Sequence, residues 1–179
     1  MHGRCCAGAL ALSVVATCAV AGSPEPKTPE VGAAAPDFTT TELMTGHAVH
    51  LGDQRGKLVF LSFWATWCGP CRKELPILNN VQKIVADRGG IVYAVSFAER
   101  ASTFDLKKVF RTAGWQLTPL MDPGGKIAAL YGIKAIPHLF IIGRDGKILA
   151  VNTGYGDRSP EELATEINAA LQTQVTAAD

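Results

Sequence analysis

A chain of 179 residues can hold one domain with a sizeable core and is too short for two ordinary ones. Its 47% apolar and 18% charged residues exclude intrinsic disorder, collagen and coiled coil. Lys and Arg number 17 against 16 Asp and Glu, with no basic cluster, so the electrostatic footprint of a nucleic-acid binder is missing.

The chain opens on an export segment. Arg4 is the only formal charge before Glu25, residues 5–21 are uncharged and rich in small and apolar side chains, and Ala19-Val20-Ala21 fits a small-x-small cleavage site. The run only touches the lower limit for a spanning helix, so a signal over residues 1–21 is expected rather than a retained anchor. Val15-Ala16-Thr17-Cys18 also looks like a lipoprotein box, with Thr17 where Gly, Ala or Ser is usual, so lipidation at Cys18 is the alternative. Either way the domain is expected outside the cytoplasm, in the periplasm. Residues 22–32 read as a flexible leader, 33–173 as the folded domain and 174–179 as a tail.

Two short strands with a turn near Thr45-Gly46 are predicted between Phe38 and Leu51. Leu58 to Trp64 is a nearly unbroken apolar run, as a buried central strand requires. Gly69-Pro70 opens a helix, with Pro70 suited to its first turn. Ile77, Leu78, Val81, Ile84 and Val85 are read as its apolar stripe, Pro76 as a kink and Gly89-Gly90 as its stop. A second buried strand runs from Ile91 to Ser96. Ser102 with Asp105 resembles a capping box before Leu106, Val109, Phe110 and Ala113 at helical spacing, and Gly114 fits the stop. A strand near Leu117 to Met121, a turn at residues 122–125 and a short helix from Ile127 to Tyr131 follow. His138 to Ile142 and Ile148 to Asn152 form a hairpin around Arg144-Asp145-Gly146. A last amphipathic helix begins at Ser159-Pro160. Strands alternating with helices, then a hairpin, predict an α/β fold with a mixed central sheet and helices on both faces.

Of the five cysteines, three lie in the first 18 residues, leaving Cys68 and Cys71 in the folded part. A bridge between residues so close closes almost no loop and stabilises little, so the pair is more useful as chemistry. The strand delivers Cys68 to the start of a helix. The free N–H groups of the first turn and the helix dipole favour its thiolate. Cysteines so placed have pKa values of roughly 3.5–7.5 instead of about 8.5. Cys68 is therefore the expected nucleophile. Cys71, about one turn on and deeper, resolves the mixed disulfide. The short Gly69-Pro70 spacer keeps the two close. Half of a zinc site is the alternative, but it needs two more ligands and the folded part offers only His47, His50 and His138. No metal is expected.

Phe63-Trp64-Ala65-Thr66-Trp67-Cys68-Gly69-Pro70-Cys71 resembles the active-site segment of the thioredoxin superfamily. Residues 131–137, Tyr131 to Pro137, resemble the segment before its cis-proline, and Asp145-Gly146-Lys147-Ile148 the hairpin after it. The early Ala35-Pro36-Asp37-Phe38, an N-terminal β-hairpin extension and an inserted β-α unit are similar to the TlpA/ResA group of exported thiol-disulfide oxidoreductases. Peroxiredoxins share the Ala-Pro-Asp-Phe segment, but their Pro and Thr upstream of the reactive cysteine are here Leu61 and Ala65.

The resemblance implies a thioredoxin-like fold and dithiol-disulfide exchange with protein substrates, with the disulfide Cys68–Cys71 as the only redox centre and no separate cofactor. It implies a cis Ile136-Pro137 peptide facing Cys68, with Trp67, Gly69, Pro70, Ile136 and His138 beside the bound substrate. His138 stands where Thr is common. Thioredoxins place a buried Asp where this chain has Ser62, so the proton acceptor lies elsewhere, and Glu99, shortly after the next central strand, is the candidate. The implied role is that of a monomeric reductant in cytochrome c maturation, acting on apocytochrome c, or in copper-centre assembly, acting on a copper-centre subunit. A membrane-bound donor would supply the electrons. A copper-binding chaperone using Cys68, Cys71 and His138 is the rival from another class.

Overall fold

The computed structural model describes residues 27–154 and, in the C-terminal segment, residues 162, 165, 167–169 and 172. The predicted signal, residues 22–26 of the leader and the tail lie outside the described residues. So does most of the predicted last helix. The described positions of that segment are helical, and Ile167 is buried in the core.

The elements follow the predicted order. Strands β1 (Thr39–Thr41) and β2 (Ala48–His50) form an antiparallel pair. They precede β3 (Leu58–Trp64), α1 (Gly69–Val85) and β4 (Gly90–Ser96). Next come α2 (Thr103–Ala113), β5 (Thr118–Leu120), α3 (Lys126–Leu130), β6 (His138–Ile142) and β7 (Ile148–Thr153). The main sheet has the order β5-β4-β3-β6-β7. Strand β3 is parallel to β4 and antiparallel to β6. This is the mixed sheet expected.

Strand β3 is buried along its whole length because both its faces are covered. Phe60 and Trp64 point into a core shared with Leu75 and Leu78 of α1 and Phe110 of α2. Leu61 and Phe63 point the other way, to Ile127 and Ala128 of α3 and to Tyr131. By the same alternation Ser62 faces α1.

The helix boundaries have local causes. The Ser102 hydroxyl accepts the Asp105 N–H at 3.1 Å and donates to the Asp105 carboxylate at 2.6 Å. Gly114 closes α2 at φ 63°, a conformation that costs glycine little. Helix α1 runs through Pro76, and its buried face differs from the predicted stripe. Ile84 is 55% exposed and Ile77 only partly buried, whereas Cys71, Glu74, Leu75, Leu78, Val81 and Val85 are inside. The face is phased from Cys71, which the disulfide holds against the core. In α2, Leu106 and Phe110 are buried, Val109 is partly buried and Ala113 is exposed.

The N-terminal hairpin docks beside β5. The Leu43 N–H donates to the Pro119 carbonyl at 2.8 Å and the Met121 N–H to the Thr41 carbonyl at 3.0 Å. His50 secures the exit from this extension. Its Nε2 lies 2.7 Å from the Asp37 carboxylate and its Nδ1 3.2 Å from that of Asp53. Asp37 also accepts the Gly52 N–H at 2.9 Å. The hydrogen bonds that the His50 ring makes to the Asp53 and Asp37 carboxylates raise its pKa. A raised folded-state value means the contribution is complete below about pH 6.5 and is lost as pH rises through the folded-state pKa. We expect the stability difference between the protein and a His50→Gln variant to shrink over that window. Urea midpoints measured from pH 6 to 9 check it, and a constant difference would contradict it.

Candidate functional site

The carboxyl ends of β3, β4 and β5 and the amino end of β6 meet at one edge of the sheet. Trp64 pairs with Ser96, Val95 with Leu120 and Phe63 with His138. The loops leaving these strands therefore converge, as at the ligand crevice of open α/β sheets.

Cys68 is the N-cap of α1 and is bonded to Cys71 as a disulfide. The Cys71 N–H donates to the Cys68 Sγ at 3.1 Å, so a first-turn amide points at that sulfur. The first turn carries no acidic side chain to oppose a thiolate. Cys68 keeps 4% of its surface exposed and Cys71 none. Gly69 and Pro70 form the turn between them. Beside the pair, Trp67 is 52% exposed, and its Nε1 donates to the Ala98 carbonyl at 3.2 Å.

Glu99 sits on the loop after β4 and holds the loop that precedes Cys68. Its carboxylate accepts the Thr66 N–H at 2.7 Å and the Thr66 hydroxyl at 2.8 Å. It also accepts the N–H groups of Arg100 and Ala101, at 2.7 and 2.9 Å. Burial alone would raise its pKa, but the hydrogen bonds from Ala101, Thr66 and Arg100 together outweigh burial and lower it. Its contribution is thus present above about pH 4.5 and lost as pH falls through the lower folded-state value. We expect Glu99→Ala to cost roughly 1 kcal/mol at pH 7, allowing for its partial exposure, and less near pH 3. Urea unfolding at the two pH values tests this, and an equal loss at both would refute it.

A second carboxylate, which the sequence reading missed, lies inside. Glu74 is 4% exposed, and the Ser62 hydroxyl approaches it at 3.4 Å. Burial pushes its carboxyl up to about 7, against a smaller lowering by Ser62. It follows Cys71 by three residues, so the two share one helix face. A signal was available, because Cys71, Leu75 and Leu78 define a face on which position 74 falls.

The Ile136-Pro137 peptide is cis. Ile136 packs against the core that contains Cys68 and Cys71, Pro137 is buried, and His138 opens β6. Among the described residues no three His, Cys, Asp or Glu side chains are grouped to hold a metal ion. No helix among them is long and apolar enough to cross a membrane.

Comparison with known proteins agrees with this geometry. The sequence profile described as the AhpC/TSA family matches residues 31–151. The thiol-disulfide oxidoreductase ResA of Bacillus anthracis is 34% identical over 134 residues, 75% of each chain. ResA of Bacillus subtilis is 32% identical over 69% of this chain and 67% of its own. A Chlorobium tepidum structure assigned as the thiol:disulfide interchange protein DsbE superposes with a TM-score of 0.72 at 38% identity, covering 80% of this chain and 99% of that one. The exposed lipoprotein thioredoxin Etrx1 of Streptococcus pneumoniae superposes at 0.62 with 27% identity, over 75% of this chain and 99% of its own. With a cysteine pair at a helix start on a thioredoxin-like sheet, the chain belongs to the AhpC/TSA family and is a thiol-disulfide oxidoreductase of the ResA and DsbE type.

Proposed function

We propose that the protein is exported and reduces disulfides of other proteins, in cytochrome c maturation or a related assembly pathway. The carrying observation is the Cys68–Cys71 pair at the start of α1, with a backbone N–H on Cys68 and Trp67 exposed beside it. The export segment read in residues 1–21 supports the location, as does the likeness to an exposed lipoprotein of Streptococcus pneumoniae.

The reduced protein attacks with the Cys68 thiolate. A bond forms to one sulfur of the substrate disulfide, and the other substrate sulfur leaves as a thiolate. Cys71 then loses its proton and attacks the Cys68 sulfur, which closes the internal disulfide and releases the second substrate thiolate. Two electrons and, after protonation, two protons pass to the substrate. Glu74, buried one turn beyond Cys71 and poised near 7, suits the acceptor role for the Cys71 proton. Glu99 acts by fixing the loop that presents Cys68. Ile136, Pro137, His138, Trp67, Gly69 and Pro70 would frame the substrate chain. The cysteine pair is the redox centre, and a membrane-bound dithiol donor would return it to the reduced state.

The test is capture. Cys71→Ala, expressed with its own leader, should hold partners as mixed disulfides on Cys68 in the exported fraction, and apocytochrome c or another assembly subunit should be among them. Mixed disulfides confined to cytoplasmic proteins would refute the location. Capture of none would refute the exchange.

A further inference from the structure

Ala98 is the only residue other than glycine with a positive φ among the described residues, at 44°. In the left-handed region Cβ crowds the following carbonyl oxygen, so any residue but glycine occupies it at a cost. Ala98 is exposed, so core packing does not impose the conformation. Nor does a regular element, because β4 ends at Ser96 and α2 starts at Thr103. A strained residue persists only where its surroundings over-determine it, and such residues gather at functional sites.

What over-determines Ala98 is the segment that leads into Cys68. Before Ala98, the Phe97 N–H donates to the Trp64 carbonyl at 2.7 Å. After it, the Glu99 carboxylate accepts the Thr66 N–H and hydroxyl. The Ala98 carbonyl itself accepts the Trp67 Nε1–H at 3.2 Å. Residues 97–99 thus hold Trp64, Thr66 and Trp67, and the Cys68 N–H donates to the carbonyl of the intervening Ala65 at 3.1 Å. Turning Ala98 to negative φ swings its own carbonyl and Glu99 relative to Phe97, so these contacts cannot be kept together. Trp67 has the most to lose. It adjoins the nucleophile, is 52% exposed, and spends its single donor on Ala98. Without that tether an exposed ring samples several rotamers.

We propose that Ala98 is a positioning residue for the exchange reaction: its left-handed backbone sets the Trp67 ring beside Cys68 in the orientation that receives a polypeptide disulfide. The proposal rests on the reading above that Trp67 frames the substrate chain, and it names what holds that frame in place.

The test uses the reduced full chain and two substrates with the same thionitrobenzoate cap, whose release is read optically. One is a short peptide with a single cysteine, the other N-acetylcysteine. The ratio of the two rates isolates what the polypeptide gains, since a loss of stability lowers both rates together. Trp67→Ala should lower the ratio about tenfold, as loss of a positioning group does. Trp67→Phe keeps a ring but not the bond to Ala98, and should lower it about fivefold, the range of one hydrogen bond. Ala98→Val places a β-branched residue where positive φ is least tolerated and should also lower it about fivefold. Ala98→Gly adopts the same backbone freely and should keep it within about twofold. In the Trp67→Phe background, Ala98→Val should change the ratio less than about twofold, because the contact it acts through is already gone. An unchanged ratio in folded Ala98→Val would overturn the proposal, as would an equal fall in both backgrounds. If Ala98→Val does not fold, Trp67→Phe decides, because an unchanged ratio there means that the Ala98 carbonyl positions nothing. An unchanged ratio in Trp67→Ala would instead count against Trp67 as part of the substrate frame, the reading on which the proposal rests.

Discussion

Cys68→Ala should abolish disulfide exchange, and Cys71→Ala should arrest it halfway. With Cys68 absent, no sulfur receives the first-turn amide, and Cys71 has no exposed surface from which to attack a protein disulfide. Losing a covalent nucleophile should lower the rate by roughly a thousandfold or more. With Cys71 absent, Cys68 still attacks, but nothing resolves the product. Mixed disulfides should persist on non-reducing gels and vanish with dithiothreitol. In the unmodified reduced protein, alkylation near neutral pH should reach Cys68 much sooner than Cys71, because the thiolate is the reactive form. The order of roles would be reversed if Cys68→Ala, and not Cys71→Ala, accumulated the mixed disulfides. Equal alkylation rates would remove the distinction between nucleophile and resolver.

What could be read from the sequence was what short-range physics controls. Leu58 to Trp64 had to be a central strand because no face of it could meet water. Ser102 and Gly114 marked the ends of α2 through bonds and a backbone conformation local to each. The cysteine pair was legible because its spacing and the helix start lie in one continuous segment. Glu74 escaped notice because a Glu on a helix is seldom buried, and the stripe was traced through apolar residues alone. Tracing by position from Cys71 would have excluded Ile84 and included Glu74. The two hydrogen bonds from Thr66 to Glu99 depend on two loops brought together by the parallel pairing of β3 and β4, residues 33 apart. Such long-range juxtapositions carry no local signature.

Glu74→Gln should flatten the pH dependence of stability and slow the closing step of exchange. The carboxyl titrates near 7 in the folded protein and near 4.5 in an unfolded chain. Between those values the folded state keeps a proton that the unfolded state has released. The stabilisation is therefore complete below about pH 4.5 and is lost as pH rises through about 7. At 1.36 kcal/mol per pH unit the full swing is about 3 kcal/mol. Gln is neutral at every pH and nearly the same shape, so the variant should match the parent near pH 4.5 and exceed it by up to about 3 kcal/mol at pH 8. Urea midpoints across that range read the difference directly. Parallel curves would show that Glu74 does not titrate in this window. The same substitution removes a proton acceptor from the helix face that carries Cys71. Resolution of a pre-formed mixed disulfide on Cys68 should then slow about a hundredfold near pH 7, the lower end of what general-base catalysis contributes. The first attack by Cys68 should change far less, because its thiolate is held by the Cys71 N–H and the start of α1. Stopped-flow measurement of the two steps separates these effects. A stability gain without slower resolution would leave Glu74 as a buried titrating group with no part in moving the Cys71 proton.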